Sequence, residues 1–193
     1  MTATFNWRKA ALTPLQAVAV AAVVCGTMLA VFGLQNLGLF GVEWGVLPRT
    51  FNSWRGFVLA PFMHGSWGHL IGNLSALAIL IPLCGTLYPK ETLKSLPIIW
   101  VVSFVTIWLF GAPNSSHIGA SGIIYGLMSF AVFLAIFHRS WGAVLGCLVV
   151  AFFFAGALWG LMPKQGVSFT AHFGGAIGGF IAAYVLRKKW KQN

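Results

Sequence analysis

Six apolar runs, each about as long as a bilayer's hydrocarbon core is thick, set what this chain can fold into. They fall at 15–34, 69–88, 95–112, 119–137, 141–162 and 168–186. A backbone in lipid must pair its own N–H and C=O groups, which leaves helices or a closed barrel, and runs of this length specify helices. The expected fold is therefore an all-α integral membrane protein, a six-transmembrane-helix bundle forming one domain over residues 1–193. With 59% hydrophobic and 7% charged residues, an ordinary soluble domain is excluded.

The first run follows Arg8 and Lys9 as a signal peptide would, but it is longer than a usual apolar signal core and lacks a small-residue cleavage site. It is expected to be a retained helix. Six spans put both termini on one side. Counting Lys and Arg gives nine on that side (Arg8, Lys9, Lys90, Lys94, Arg139, Arg187, Lys188, Lys189, Lys191) against three on the other (Arg49, Arg55, Lys164). The positive-inside rule then places both termini in the cytoplasm, in a plasma (inner) membrane. The net charge of +10 is dispersed between apolar runs, so it reads as a topology signal directed at the lipid bilayer and not as a nucleic-acid surface. Cys25, Cys84 and Cys147 lie inside apolar stretches without metal-ligand spacing and read as small core residues. No metal or other cofactor is called for.

About 34 residues separate the first two spans, and this stretch holds Glu43, Trp44, Trp54, Arg55 and Trp67. Its tryptophans place it at the membrane interface as an embedded loop.

Polar side chains inside spans are expensive, and here they fall in one pattern. His69 and Asn73 open the second span, four residues apart and so on one helical face. Ser121 opens the fourth within Gly119-Ala-Ser121-Gly122, and His172 opens the sixth within Ala171-His172-Phe-Gly-Gly175. Spans two, four and six run in the same direction, so these four residues share one depth near the outer face. A serine hydroxyl needs a base to become a nucleophile, and His172 is the candidate. An oxyanion needs preorganised donors, for which the Ser121 amide, Asn73 and His69 are available.

The chain has no aspartate, and its only acids are Glu43 and Glu91. A Ser-His-Asp triad and an aspartyl protease are both excluded, and no His-Glu-x-x-His zinc motif occurs. Among hydrolytic schemes a Ser-His dyad survives.

These residues resemble the rhomboid family of intramembrane serine proteases at several places in order. The family's Trp-Arg pair is matched by Trp54-Arg55, its His-x4-His-x3-Asn by His64, His69 and Asn73, and its Gly-x-Ser-Gly-x-x-Tyr by Gly119, Ser121, Gly122 and Tyr125. Its Ala-His-x-x-Gly-x3-Gly is matched by Ala171, His172, Gly175 and Gly179, so the resemblance covers roughly 50–187. One departure is Ser129, where family members commonly carry glycine.

The resemblance implies a membrane-embedded first loop, Ser121 as nucleophile, His172 as general base, His69 and Asn73 at the oxyanion hole, and Tyr125 stacked beneath the His172 ring. It also implies single-span membrane proteins as substrates, with small residues at the cleaved bond and helix-weakening residues below it. Gly175 and Gly179 read as a close-packing strip facing Gly122. Trp54 and Arg55 read as holding the loop through headgroup and backbone contacts. His64 fits a structural role in the loop and an ordinary surface position equally, and His117 and His138 carry no assigned role. The competing reading is a catalytically silent rhomboid-like protein that binds membrane helices. A transporter fits less well, since no span carries an acidic residue to couple to an ion.

Overall fold

Where the chain can pair its own backbone groups it does so as helix, and the bounds follow from local chemistry. The computed structural model describes residues 12–39, 41–138, 141–162 and 166–187. Among them the helices are α1 (Pro14–Asn36), α2 (Ser53–Leu59), α3 (Trp67–Leu87), α4 (Pro89–Phe110), α5 (Ser121–His138), α6 (Trp141–Phe154) and α7 (Phe169–Leu186). Five of these are by themselves long and apolar enough to span, and α6 spans together with the 3-10 segment Ala155–Leu161 that continues it. The expected six-span all-α architecture is what the chain adopts. The only β pairing among the described residues is one isolated bridge, Val46 to His117.

The caps are legible chemistry. Thr13 closes a capping box with Gln16 ahead of Pro14, and Ser66 and Ser168 accept backbone N–H groups at the starts of α3 and α7. The third span begins at Pro89 and not near 95, because proline is tolerated at the first helical position and Thr92 Oγ1 donates back to Cys84 O at 2.8 Å. Lys90, Glu91 and Lys94 thus belong to the opening turns of α4. The fifth span tightens into the 3-10 segment over a stretch containing Gly156 and Gly160, poor residues for an α-helix.

The long first loop contains the short helix α2, which the apolar pattern did not reveal. Indole N–H groups of α4 hold it: Trp100 donates to Phe57 O at 2.6 Å and Trp108 to Thr50 O at 3.1 Å. Arg49, in the left-handed region at φ 56, donates to Leu109 O and Gly111 O at 2.9 and 3.0 Å and satisfies carbonyls left open at the end of α4. Arg55 makes cation–π contacts, lying 5.0 Å from the Trp44 ring and 5.7 Å from that of Trp54. The expected backbone contacts of this loop thus come from Arg49, Trp100 and Trp108, not from Arg55.

Helix α7 lies between α4 and α5, and glycines make both contacts. A Cβ on Gly175 would abut the Gly122 backbone, with Gly122 C at 2.8 Å, and one on Gly179 would meet Phe130 N at 2.8 Å. From the opposing side, a Cβ on Gly126 would lie 3.1 Å from Gly175 O. The next face of α7 repeats the device against α4, where a Cβ on Gly174 would lie 2.6 Å from Thr106 Cβ and one on Gly178 2.9 Å from Ile99 Cα. Lipid offers no hydrophobic force to drive helices together, so packing and hydrogen bonds at close range do so. Ser129 Oγ donates to Ala176 O at 2.7 Å and Ser103 Oγ to Ala171 O at 3.1 Å across these same seams.

The outer faces are apolar, as with Leu145, Leu148 and Phe152 on α6, and suit lipid. The charges used for orientation at Arg8, Lys9, Arg139, Lys164, Lys188, Lys189 and Lys191 lie outside the described residues.

The seam predicts a position-dependent cost for one chemical change. Gly179→Val should destabilise the protein by roughly 1–3 kcal/mol through overpacking. Gly26→Val, on a surface of α1 with nothing within 4 Å, should leave stability within about 0.5 kcal/mol of wild type. Thermal unfolding in detergent compares the two, and equal effects would contradict the packing role.

Candidate active site

Gly119 has φ +106, a conformation that only glycine adopts without strain, and its N–H donates to Ala60 O at 2.7 Å. That turn starts α5 at Ser121, whose backbone N–H is one of the open donors of a helix amino end. Two side chains of α3 crowd the turn: a Cβ at Gly119 would lie 2.5 Å from His69 Nε2 and 3.3 Å from Asn73 Nδ2. Any residue other than glycine would displace both.

Ser121, His172, His69, Asn73 and Tyr125 all line one cavity of about 1010 Å³. His172 and Asn73 are buried, and Ser121 and His69 are half-buried. The Tyr125 and His172 rings stack with centroids 4.1 Å apart and planes 11° from parallel. His172 Nδ1 lies 2.7 Å from Gly160 O, and the Tyr125 hydroxyl donates to Ala157 O. No hydrogen bond joins Ser121 Oγ to His172 among the described residues. Such contacts are often long in a site without its ligand and tighten only in the complex.

His64 is buried, with only 2% of its surface exposed, so the surface alternative falls away. Its backbone N–H donates to Gln35 Oε1 at 2.9 Å, tying the loop to α1. Nδ1 lies 3.1 Å from Phe62 O, which can only accept, so Nδ1 carries the proton. Nε2 is then a lone pair, and Asn73 Nδ2 donates to it at 2.9 Å. This fixes which way the Asn73 amide faces and leaves its second N–H free beside Gly119.

His117 is a second residue whose role the sequence did not disclose. Ser115 Oγ donates to Ala112 O at 2.6 Å, so it accepts from His117 Nε2–H at 2.8 Å. His117 Nδ1 then accepts from Ser168 Oγ at 2.5 Å, the cap of the helix that carries His172. Burial holds the His117 imidazole below its usual pKa, in keeping with a neutral ring that donates at one nitrogen and accepts at the other. His138, at the far end of α5, lies with its ring centroid 5.7 Å from that of Tyr88, well away from the cavity.

The arrangement can bind a carbonyl oxygen beside the Ser121 amide, with Asn73 and His69 as further donors, while a hydroxyl and an imidazole share the same water-accessible space. Ser121 and His172 are carried by α5 and α7, whose spacing the glycine seam sets.

Against known families, residues 51–189 match the model of the Rhomboid domain. An uncharacterised protein of Mycobacterium tuberculosis is 37% identical over 155 residues, covering 74% of this chain and 63% of its own length. The chain therefore spans less than two thirds of that relative. The chloroplastic rhomboid-like protein 11 of Arabidopsis thaliana is 27% identical over 183 residues, covering 80% of this chain and 64% of its own. Rhomboid-like protease 5 of Toxoplasma gondii is 31% identical over 165 residues, covering 78% of this chain and 17% of its own.

The His64 contact carries a pH dependence. Burial first, and the neighbouring His69 second, hold the His64 imidazole down to about 4, against the raising influence of the Phe62 carbonyl. A histidine held low in the folded state contributes stability fully above its unfolded value of about 6.5, because below that the unfolded chain takes up the proton first. The contribution is lost as pH falls toward about 4. Wild type should be more stable than His64→Gln at neutral pH, and the gap in melting temperature in detergent should narrow steadily below about pH 6.5. A gap that stays constant on acidification would contradict a neutral, bonded His64.

Proposed function

The chain belongs to the rhomboid family, and from that premise we propose that it is an intramembrane serine endopeptidase working through Ser121 and His172. The observation that carries the reading is the meeting of Ser121, His172, His69 and Asn73 on the wall of one cavity, with the two donors against the Gly119 turn.

In this reading Ser121 Oγ attacks the scissile carbonyl while its proton passes to His172 Nε2. The oxyanion is held by the Ser121 N–H, the free Asn73 N–H and His69 Nε2–H. His172 then protonates the leaving amine, and the carbonyl remains as an ester on Ser121. Water entering the cavity gives its proton to His172 and attacks the ester, and His172 returns that proton to Ser121 Oγ as the acid is released. Tyr125 keeps the imidazole in plane by stacking. The chain acts as one transmembrane unit.

The substrates proposed are single-span membrane proteins with small residues at the cleaved bond, a class suggested by the family. The charge bias favours cytoplasmic termini, which puts the cavity toward the extracytoplasmic side of the membrane.

Purified protein in liposomes should cleave a model transmembrane substrate, and Ser121→Ala and His172→Ala should abolish cleavage. Asn73→Ala should lower kcat by about 10²–10³, as expected for loss of one oxyanion donor. A fluorophosphonate should label wild type and not Ser121→Ala. If wild type and Ser121→Ala behave alike, the protease reading fails and a helix-binding protein without hydrolytic activity takes its place.

A further inference from the structure

A histidine that must take a proton through Nε2 has to keep its own proton on Nδ1, and it needs a partner that holds it there. Hydrolytic triads use a carboxylate, which both fixes the tautomer and stabilises the imidazolium. Here that solution is closed: the only acids are Glu43 in the first loop and Glu91 in the first turn of α4, and neither lines the cavity.

We propose that the main-chain carbonyl of Gly160 takes the place of the missing carboxylate, making Gly160 a positioning residue for His172. The proposal rests on the protease reading only for its consequence in turnover. The contact itself rests on geometry. Gly160 O lies 2.7 Å from His172 Nδ1, and a carbonyl only accepts, so Nδ1 is the donor and Nε2 is left as the lone pair.

The carbonyl is available because of where it sits. It belongs to the last turn of the 3-10 segment Ala155–Leu161, where Met162 N–H closes on Trp159 O and, among the described residues, no backbone N–H further along donates to Gly160 O. The residue three positions on is Pro163, which has no N–H to offer. A helix carboxyl end also carries partial negative charge, which favours the imidazolium formed when the serine proton is taken.

Residue 160 must be glycine for this contact. A Cβ there would lie 3.1 Å from His172 Nδ1 and 3.1 Å from Tyr125 Cζ, against the Tyr125 hydroxyl. The same segment supplies Ala157 O to that hydroxyl, so one short turn holds both the base and the ring it stacks on.

The test is the ¹⁵N spectrum of histidine-labelled full-length protein in detergent, with the His172 signals assigned by their loss in His172→Gln. Wild type should show a single Nδ1–H tautomer for His172. Gly160→Ala should show mixed tautomers and a kcat lower by about tenfold or more, with KM little changed. Gly156→Ala, in the same segment but with nothing within 4 Å of its Cβ, should match wild type in both. A wild-type His172 protonated on Nε2, or mixed, overturns the proposal whether or not Gly160→Ala folds. So does a Gly160→Ala protein that keeps the wild-type spectrum and turnover. Wild type that shows the Nδ1–H tautomer but cleaves no substrate sinks the protease reading while the positioning contact stands.

Discussion

The close approach of α7 to α4 and α5 is the constraint on which the rest depends. Ser121 and His172 belong to different helices, and nothing in lipid pushes those helices together. Glycines on two adjacent faces of α7 remove the side chains that would hold the backbones apart. Gly175 and Gly179 meet Gly122 and Gly126 of α5, and Gly174 and Gly178 meet Thr106 and Ile99 of α4. Once the backbones touch, short hydroxyl bonds from Ser129 and Ser103 fix the register of α7 along its neighbours. A change of one residue in that register would rotate His172 out of the cavity, so the seam specifies the site as well as the fold.

A second constraint is the cost of polar groups away from water, which forces directed pairing. The protein answers it mostly with backbone carbonyls. Phe62 O sets the tautomer of His64, which orients Asn73, and Gly160 O and Ala157 O receive the His172 ring and the Tyr125 hydroxyl. His117 is placed in the same way, between a serine already committed to Ala112 O and the cap of α7. Carbonyls orient without carrying a full charge, so they avoid the desolvation cost that a buried carboxylate would bring. A chain with no aspartate can still direct its imidazoles.

What could be read in the sequence divides along the same line. The spans were legible because apolar length is a one-dimensional property, and Ser121 at a helix start was legible because Gly119 breaks the pattern just before it. That His69, Asn73, Ser121 and His172 meet was accessible from span parity and the family motifs. Helix α2 was not, since its seven residues are too few to show a period. The Gly174 and Gly178 face was hidden behind the Gly-x3-Gly reading of its neighbours. Gly160 and Ala157 left no trace because a carbonyl is common to every residue. Only the pairing of a glycine with a proline three positions later hinted at an open acceptor, and that signal has meaning only once the partner is known.

The fifth span ties these points together. It is the least embedded of the six, with 11% of its apolar window buried against 56% for α5. Yet Ala157 O and Gly160 O in its 3-10 segment hold both rings of the stacked pair. What holds the His172 and Tyr125 rings from this side is therefore a pair of directed contacts, supplied by a helix with little packing of its own. Helix α5 and helix α7 set the distance between Ser121 and His172 through a glycine seam, while the imidazole's Nδ1 contact, and the hydroxyl of the Tyr125 ring it stacks on, are held by a lightly packed segment. Distance and protonation state are thus under separate structural control. A displacement of the fifth span would leave Ser121 and His172 on their helices, but would release the His172 proton to either nitrogen.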